Sequence, residues 1–323
     1  MPYARLGVGL VLAVSLLNLS SAVAETHWDF QAVDAAGGSA WTPGYPLSVT
    51  GVILNNPEDM LDAAWDPNAE ADGTMGGQWQ IFVQGETPDR CGTALWMGQN
   101  YYSRVPVGDP ATRRYGETSW NEEMDRLNHD PDSGHHFRRG DRVVITSDTS
   151  LFFGGKRNIN EAHLVSNDFS IELLEANVGL PEPEELTLAD LDASSGAPGY
   201  DAAYPRFDRN RETGAEHYQG MYVRMNELTL TDASGWGASG WHDRVCFAAD
   251  GDGRELRLRM PLSDLGAVPT GEFDAYGIIN QESGSMNEGR DGYELFVTEI
   301  VPEPAGLSLL AIGAMACLRR RRK

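Results

Sequence analysis

Leu47-Ser48-Val49-Thr50-Gly51-Val52-Ile53-Leu54 reads as a β-strand, because β-branched and apolar residues dominate it. Gly51 near its centre predicts a bulge or a bend. Downstream, Gln78-Trp79-Gln80-Ile81-Phe82-Val83-Gln84 alternates. Trp79, Ile81 and Val83 share one face, while the glutamines and Phe82 share the other. Residues 93–97 form a third short apolar strand. Ser119 is the expected N-cap of a short helix over 120–128, which sets Trp120, Met124 and Leu127 on one face. The Gly140-Asp141 turn feeds a strand at 142–146, and 169–174 closes the set.

Three strands, a helix and two further strands resemble an OB-fold. The resemblance rests on the first strand with its inner glycine and on Gly140-Asp141-Arg142-Val143 opening the fourth, and it covers 47–180. It implies a small β-barrel with a ligand groove near the connection between the fourth and fifth strands. Leu180-Pro181-Glu182-Pro183-Glu184-Glu185 then predicts a stiff, extended linker over 181–213. A second β-rich unit follows over 214–300. Its cues are a long strand at 218–231, the hairpin turn Asp250-Gly251-Asp252-Gly253, and apolar runs at 276–279 and 293–300. The expected fold class is mainly all-β: two OB-like barrel modules, the first with one short helix and the second a smaller copy without it. Residues 25–46 form a lead-in.

Both ends carry address-like patterns. Arg5, an apolar run over 6–19 and Ala22-Val23-Ala24 match a secretory signal peptide, with Ala22 and Ala24 framing the cleavage site and the mature chain starting near Glu25. At the other end stand Pro302-Glu303-Pro304, an apolar run over 305–318, and Arg319-Arg320-Arg321-Arg322-Lys323. The order resembles the PEP-CTERM sorting signal of exported bacterial proteins. That family implies cleavage near Pro302-Glu303-Pro304 by exosortase, a membrane protease, followed by attachment to a surface lipid or glycan. The fourteen apolar residues span about 21 Å as a helix, short of the roughly 30 Å hydrocarbon layer, and snorkelling arginines extend the reach. The terminal cations favour the cytoplasmic side. The competing reading is a tail anchor that is never cut. Signal peptidase and an exosortase-like protease are the expected partners, and the expected place is the cell surface or beyond, after transient membrane anchoring.

The chain carries 25 basic and 48 acidic residues, a net charge of −23. Such a surface repels dense polyanions, so nucleic acid is the disfavoured ligand and extracellular polysaccharide the favoured one. Eight tryptophans and eleven tyrosines within a 41% hydrophobic chain suffice for a core and exclude a disordered body. Cys91 and Cys246 fall one in each unit, where they either pair or stay buried thiols. Cys317 lies in the terminal apolar run.

No nucleophile elbow, zinc-protease helix, phosphate loop or dinucleotide fingerprint occurs, so a non-enzymatic role is expected. No cofactor is expected beyond a loosely bound divalent cation. His129, Asp130, Asp132, His135 and His136 are the metal candidates, and a metal-dependent hydrolase is the reading they would support. A solvated loop between helix and strand accounts for them equally. Asp66, Asn68, Glu70 and Asp72 alternate like calcium ligands, but Ala71 and Gly77 occupy positions where an EF-hand needs Gly and Glu. Asp250 and Asp252 are read as turn residues. Arg138, Arg139, Lys156 and Arg157 form a possible basic ligand patch, with Arg142 close by in sequence. Trp79, Phe82, Trp96, Tyr101 and Tyr102 are the stacking surfaces for an anionic glycan or a nucleic acid strand. The plainer reading fills the barrel with those aromatics and pairs the cations with local acids.

Overall fold

The computed structural model describes residues 23–42, 44–101, 113–161, 168–284 and 289–302. In chain order the elements are β1 (Val23–Ala24), α1 (His27–Phe30), β2 (Leu47–Ile53), α2 (Pro57–Met60), β3 (Gln78–Gln84), β4 (Gly92–Gly98), α3 (Glu117–Asn128), β5 (Arg142–Ser147), β6 (Leu151–Phe153), β7 (Lys156–Glu161), β8 (Phe169–Glu175), β9 (Glu184–Leu186), β10 (Tyr222–Asp232), β11 (Val245–Ala249), β12 (Glu255–Arg259), β13 (Phe273–Gln281) and β14 (Tyr293–Pro302). The chain is mainly β, as its alternating runs predict.

In the first unit β2 pairs antiparallel with β3 and β5, and β3 with β4. β7 runs parallel to β4, and β8 antiparallel to β5. Together β7 and β8 take the place of one fifth strand, first against the third and then against the fourth, which is the OB strand order. β6 adds a hairpin to β7. Gly51 causes no bulge, since the β2–β5 register runs unbroken from Leu47 to Val52. A Cβ there would lie 2.2 Å from the Gln84 carbonyl oxygen, so the glycine permits close strand approach. The helix begins at Glu117 rather than Trp120, with Gly116 at its N-cap.

The second unit closes fully. β10 pairs with β11 and β13, β11 with β12, β12 in parallel with β14, and β14 with β13. The order repeats that of the first unit, so the copy expected to be the lesser is the more complete ring. β10 has eleven residues and shifts register between Met225 and Leu228. Its first half meets β13 and its second half β11, as a coiling strand at a barrel corner must.

Two expected boundaries differ in the structure. Residues 184–191 do not form a free spacer. β9 adds in parallel to β10, and Leu186, Leu188 and Leu191 enter the second core beside Val223, Phe273 and Leu295. Burying three leucines outweighs the extended bias of the neighbouring prolines. The lead-in also packs: Phe30 and Trp41 join Trp79, Trp120 and Phe137 in the first core. Cys91 and Cys246 are separate free thiols, both buried, so the pairing considered above does not occur. Arg211 donates to Cys91 Sγ at 2.6 Å, and burial raises that thiol to about 11.

The units are docked. A third apolar cluster joins Leu54, Phe82 and Ala94 of the first to Tyr222, Ile278 and Phe296 of the second. The Phe82 and Phe296 rings meet edge-on at 5.5 Å. Gly92 N–H donates to the Gln219 carbonyl at 3.0 Å, and Tyr222 N–H donates to Gln84 Oε1 at 2.7 Å. Thus the outer face of β3, polar but for Phe82, turns to the second barrel instead of water.

Candidate functional site

Docking leaves a cleft of about 310 Å³ between the barrels. The first barrel supplies Gln78 and Gln80 from β3, Trp96 from β4, and Lys156, Asn158 and Asn160 from β7, with Tyr101 beside them. The second supplies Trp241 and His242 from a single helical turn, Arg257 and Arg259 from β12, and Glu282 just past β13. Strand alternation accounts for each set, because Gln78 and Gln80, Asn158 and Asn160, and Arg257 and Arg259 are all two residues apart.

The aromatic groups are held from behind. Trp96 packs against Tyr101 at 5.7 Å, and its Nε1 donates to Gln78 Oε1 at 3.4 Å. Trp241 lies on Phe296 at 5.7 Å, and the Arg259 guanidinium sits over its ring at 4.1 Å. The Trp241 Nε1 and the Asn158 Oδ1 are buried without a hydrogen-bond partner.

The charges of the cleft are mostly compensated. Lys156 is 2% exposed, and its ammonium donates to the Gln281 carbonyl and to Glu282 Oε1, both at 2.6 Å. Glu294 is buried behind β12, 3.1 Å from Arg257 Nε and 3.4 Å from Arg259 Nη2, and accepts from Asn280 Nδ2. Burial pushes its carboxyl above the usual range, and the two arginines pull it back.

Of the residues singled out from sequence, Trp96, Tyr101 and Lys156 line the cleft and the others do not. Lys156 is spent on the second barrel, as above. Arg157 is 9% exposed, its guanidinium lies 4.8 Å from the Trp41 ring centre, and it donates to Ser150 Oγ and Ser39 Oγ. Arg138 pairs with Glu58 at 3.0 Å, and Arg142 with Glu86 and Glu175. The backbone N–H of Arg139 donates to Asn56 Oδ1. Burial on β7 engages Lys156 and Arg157, and Glu58 engages Arg138, so three of the four cations expected to form the basic patch are held elsewhere. Trp79 and Phe82 are core residues, Trp96 and Tyr101 line the cleft, and Tyr102 lies outside the described residues.

The metal candidates serve loop geometry. Asp130 accepts from Ser133 N–H and Oγ on one oxygen and from Leu173 N–H on the other. His135 Nε2 lies 2.7 Å from Asp141 Oδ2, His129 and His136 stack at 4.8 Å, and no side-chain partner is seen for Asp132. Asp66 caps the Asn68 N–H, and Glu70 pairs with Arg114. Among the described residues no three His, Cys, Asp or Glu side chains converge on a point that could hold a metal. Asp250 and Asp252 both bind Arg254, as turn residues do.

Ala24 sits in β1 beside Ser48, and Pro302 ends β14 opposite Phe273. Ala22, Glu303, Pro304 and residues 319–323 lie outside the described residues, as does Cys317. Among the described residues no helix is long and apolar enough to cross a membrane. Comparison with known protein families finds none that matches the chain, and comparison with curated proteins finds no relative.

Asn158 and Asn160 belong to the polar segment 156–163 between the expected fourth and fifth strands, where a groove is expected, whereas sequence reasoning missed Trp241, Arg257 and Arg259 as cleft residues. The only available signal was the two-residue spacing of Arg257 and Arg259, which a solvated strand face shows as well.

Proposed function

We propose that this chain is an exported bacterial protein of the cell surface or extracellular matrix, non-enzymatic, which holds polysaccharide in the cleft between its barrels. The cleft carries the glycan reading. Trp96 and Trp241 offer flat apolar faces suited to the C–H face of a sugar ring, and the adjacent amides and guanidinium groups suit its hydroxyls. Replacing either tryptophan by alanine is expected to weaken binding to the producing organism's exopolysaccharide at least about tenfold, roughly 1.4 kcal/mol, in affinity electrophoresis. Binding that survives both changes, or release of soluble sugar from the polysaccharide, would remove the reading.

Export rests on the sequence of the two ends and their likeness to a signal peptide and a PEP-CTERM tail. Signal peptidase would act after Ala24, and an exosortase-like protease near Pro302-Glu303-Pro304, after a transient stop in the membrane. The expected intact mass of the protein from surface and medium fractions starts at Glu25 and ends near Pro304, with or without an added group. A mass that retains Arg319 to Lys323 would show an uncleaved anchor instead.

A further inference from the structure

We infer that the cleft is specific for a carboxylate-bearing sugar, a uronic acid carried as an isolated unit on a largely neutral glycan. The inference rests on the glycan reading above and names the class of residue recognised. Its basis is the most exposed of the cations that line the cleft among the described residues. Lys156 is 2% exposed and donates to Gln281 and Glu282. Arg259 is 5% exposed, lies over Trp241, and directs its terminal nitrogens to the Trp241 and His242 carbonyls and to Glu294. Arg257 differs. Its side chain is 35% exposed, and only its Nε approaches Glu294, at 3.1 Å without hydrogen-bond alignment. No hydrogen bond to its terminal nitrogens occurs among the described residues, so the guanidinium fork stays open for a carboxylate.

The surroundings fix the rest of the ligand. Among the described residues three cationic side chains line the cleft, with Glu282 on its wall and Glu294 behind it, a small positive excess there in a chain of net charge −23. One open guanidinium matches one carboxylate. The strongly acidic body disfavours a dense polyanion, whether a continuous uronan or a nucleic acid strand. The volume of about 310 Å³ is at the small end of ligand sites, the scale of one or two sugar rings. Gln78, partly exposed on the cleft wall, brings a side-chain amide for a ring hydroxyl.

The test is calorimetric titration of the full-length chain with methyl glycosides of glucuronic, galacturonic and mannuronic acid, each beside its neutral hexose, and with a thymidine oligonucleotide. At least one uronide is expected to bind about tenfold more tightly than its neutral partner, with a preference that shrinks as salt is raised. R257Q, checked for folding by its thermal transition, is expected to bind acid and neutral sugars alike. Equal binding of acid and neutral sugars by the unaltered protein would overturn the carboxylate inference and leave the glycan reading standing. No binding of any sugar, or preference for the oligonucleotide, would overturn both. The salt response of the unaltered protein decides the matter even if R257Q does not fold.

Discussion

Replacing Gly92 by valine is expected to break the docking of the two barrels and split one cooperative unfolding transition into two. A Cβ at Gly92 would lie 2.2 Å from the Gly220 carbonyl oxygen and 2.9 Å from that of Val83. The relation is reciprocal, for a Cβ at Gly220 would meet the Gly92 oxygen at 2.4 Å. Both obstacles are backbone, and neither side can yield by a rotamer change. The clash falls beside the hydrogen bond from Gly92 N–H to the Gln219 carbonyl and beside the Phe82–Phe296 contact. Overpacking of this kind costs about 2–3 kcal/mol, equivalent here to a loss of roughly 5–10 °C. Each barrel keeps its own core, so secondary structure should persist while the units unfold separately. Scanning calorimetry reads the outcome. Alanine at Gly220 carries an added burden, because its φ is +71°. The two alanine substitutions should be strongly non-additive, since each clashes with the other residue's backbone. One unsplit transition at the original temperature in the Gly92→Val protein would show that this contact does not hold the barrels together.

Docking also decides what could be read from the sequence. β2, β3, β5 and the strands of the second barrel announce themselves, because each buries one face and alternates accordingly, as Trp79, Ile81 and Val83 do. β7 does not. Lys-Arg-Asn-Ile-Asn-Glu has one apolar residue, yet all six are buried. Its polar side chains are covered by the second barrel and the lead-in: Lys156 by Gln281 and Glu282, Arg157 by Trp41 and Ser39. Nothing local encodes that cover, so the segment reads as a basic loop. Leu186, Leu188 and Leu191 were hidden likewise by the prolines and acids before them. The cleft is the extreme case. Gln78, Trp96, Asn158, Trp241 and Arg257 are scattered over nearly two hundred residues and meet only when both units are folded and docked. Catalytic and metal motifs are legible when they are short and local, and this site is neither.

Stability is expected to fall as pH rises from 5 to 8.5, with the midpoint dropping by about 5 °C or more. The cause is a set of buried carboxyl groups. Glu161 is fully buried, and desolvation together with the neighbouring Asp168 pushes it up to about 9, although Arg126 donates to it at 2.9 Å. Glu123 adds to the rise, and the Tyr115 hydroxyl beside it is raised in turn. A dry site beside a second carboxyl favours the protonated form of Glu161. Glu216, also fully buried, is pushed up to about 7 by desolvation despite the hydrogen bond from the Tyr293 hydroxyl at 2.8 Å. In the unfolded chain both groups titrate near 4.3. The native state therefore holds protons that the unfolded state releases. Their stabilising contribution is complete below the unfolded value and is lost as pH climbs through 7 for Glu216 and 9 for Glu161. Glu86 and Asp250 have lowered values and act oppositely, but their contribution disappears only in acid below the ordinary carboxylate range. E161Q supplies the N–H that a protonated Glu161 offers Asp168 and keeps an oxygen for Arg126. It should match the unaltered protein at pH 5 and exceed its midpoint at pH 8.5. Equal midpoints at both pH values in the unaltered protein, with E161Q indifferent, would mean that Glu161 is ionised and otherwise compensated in the folded state.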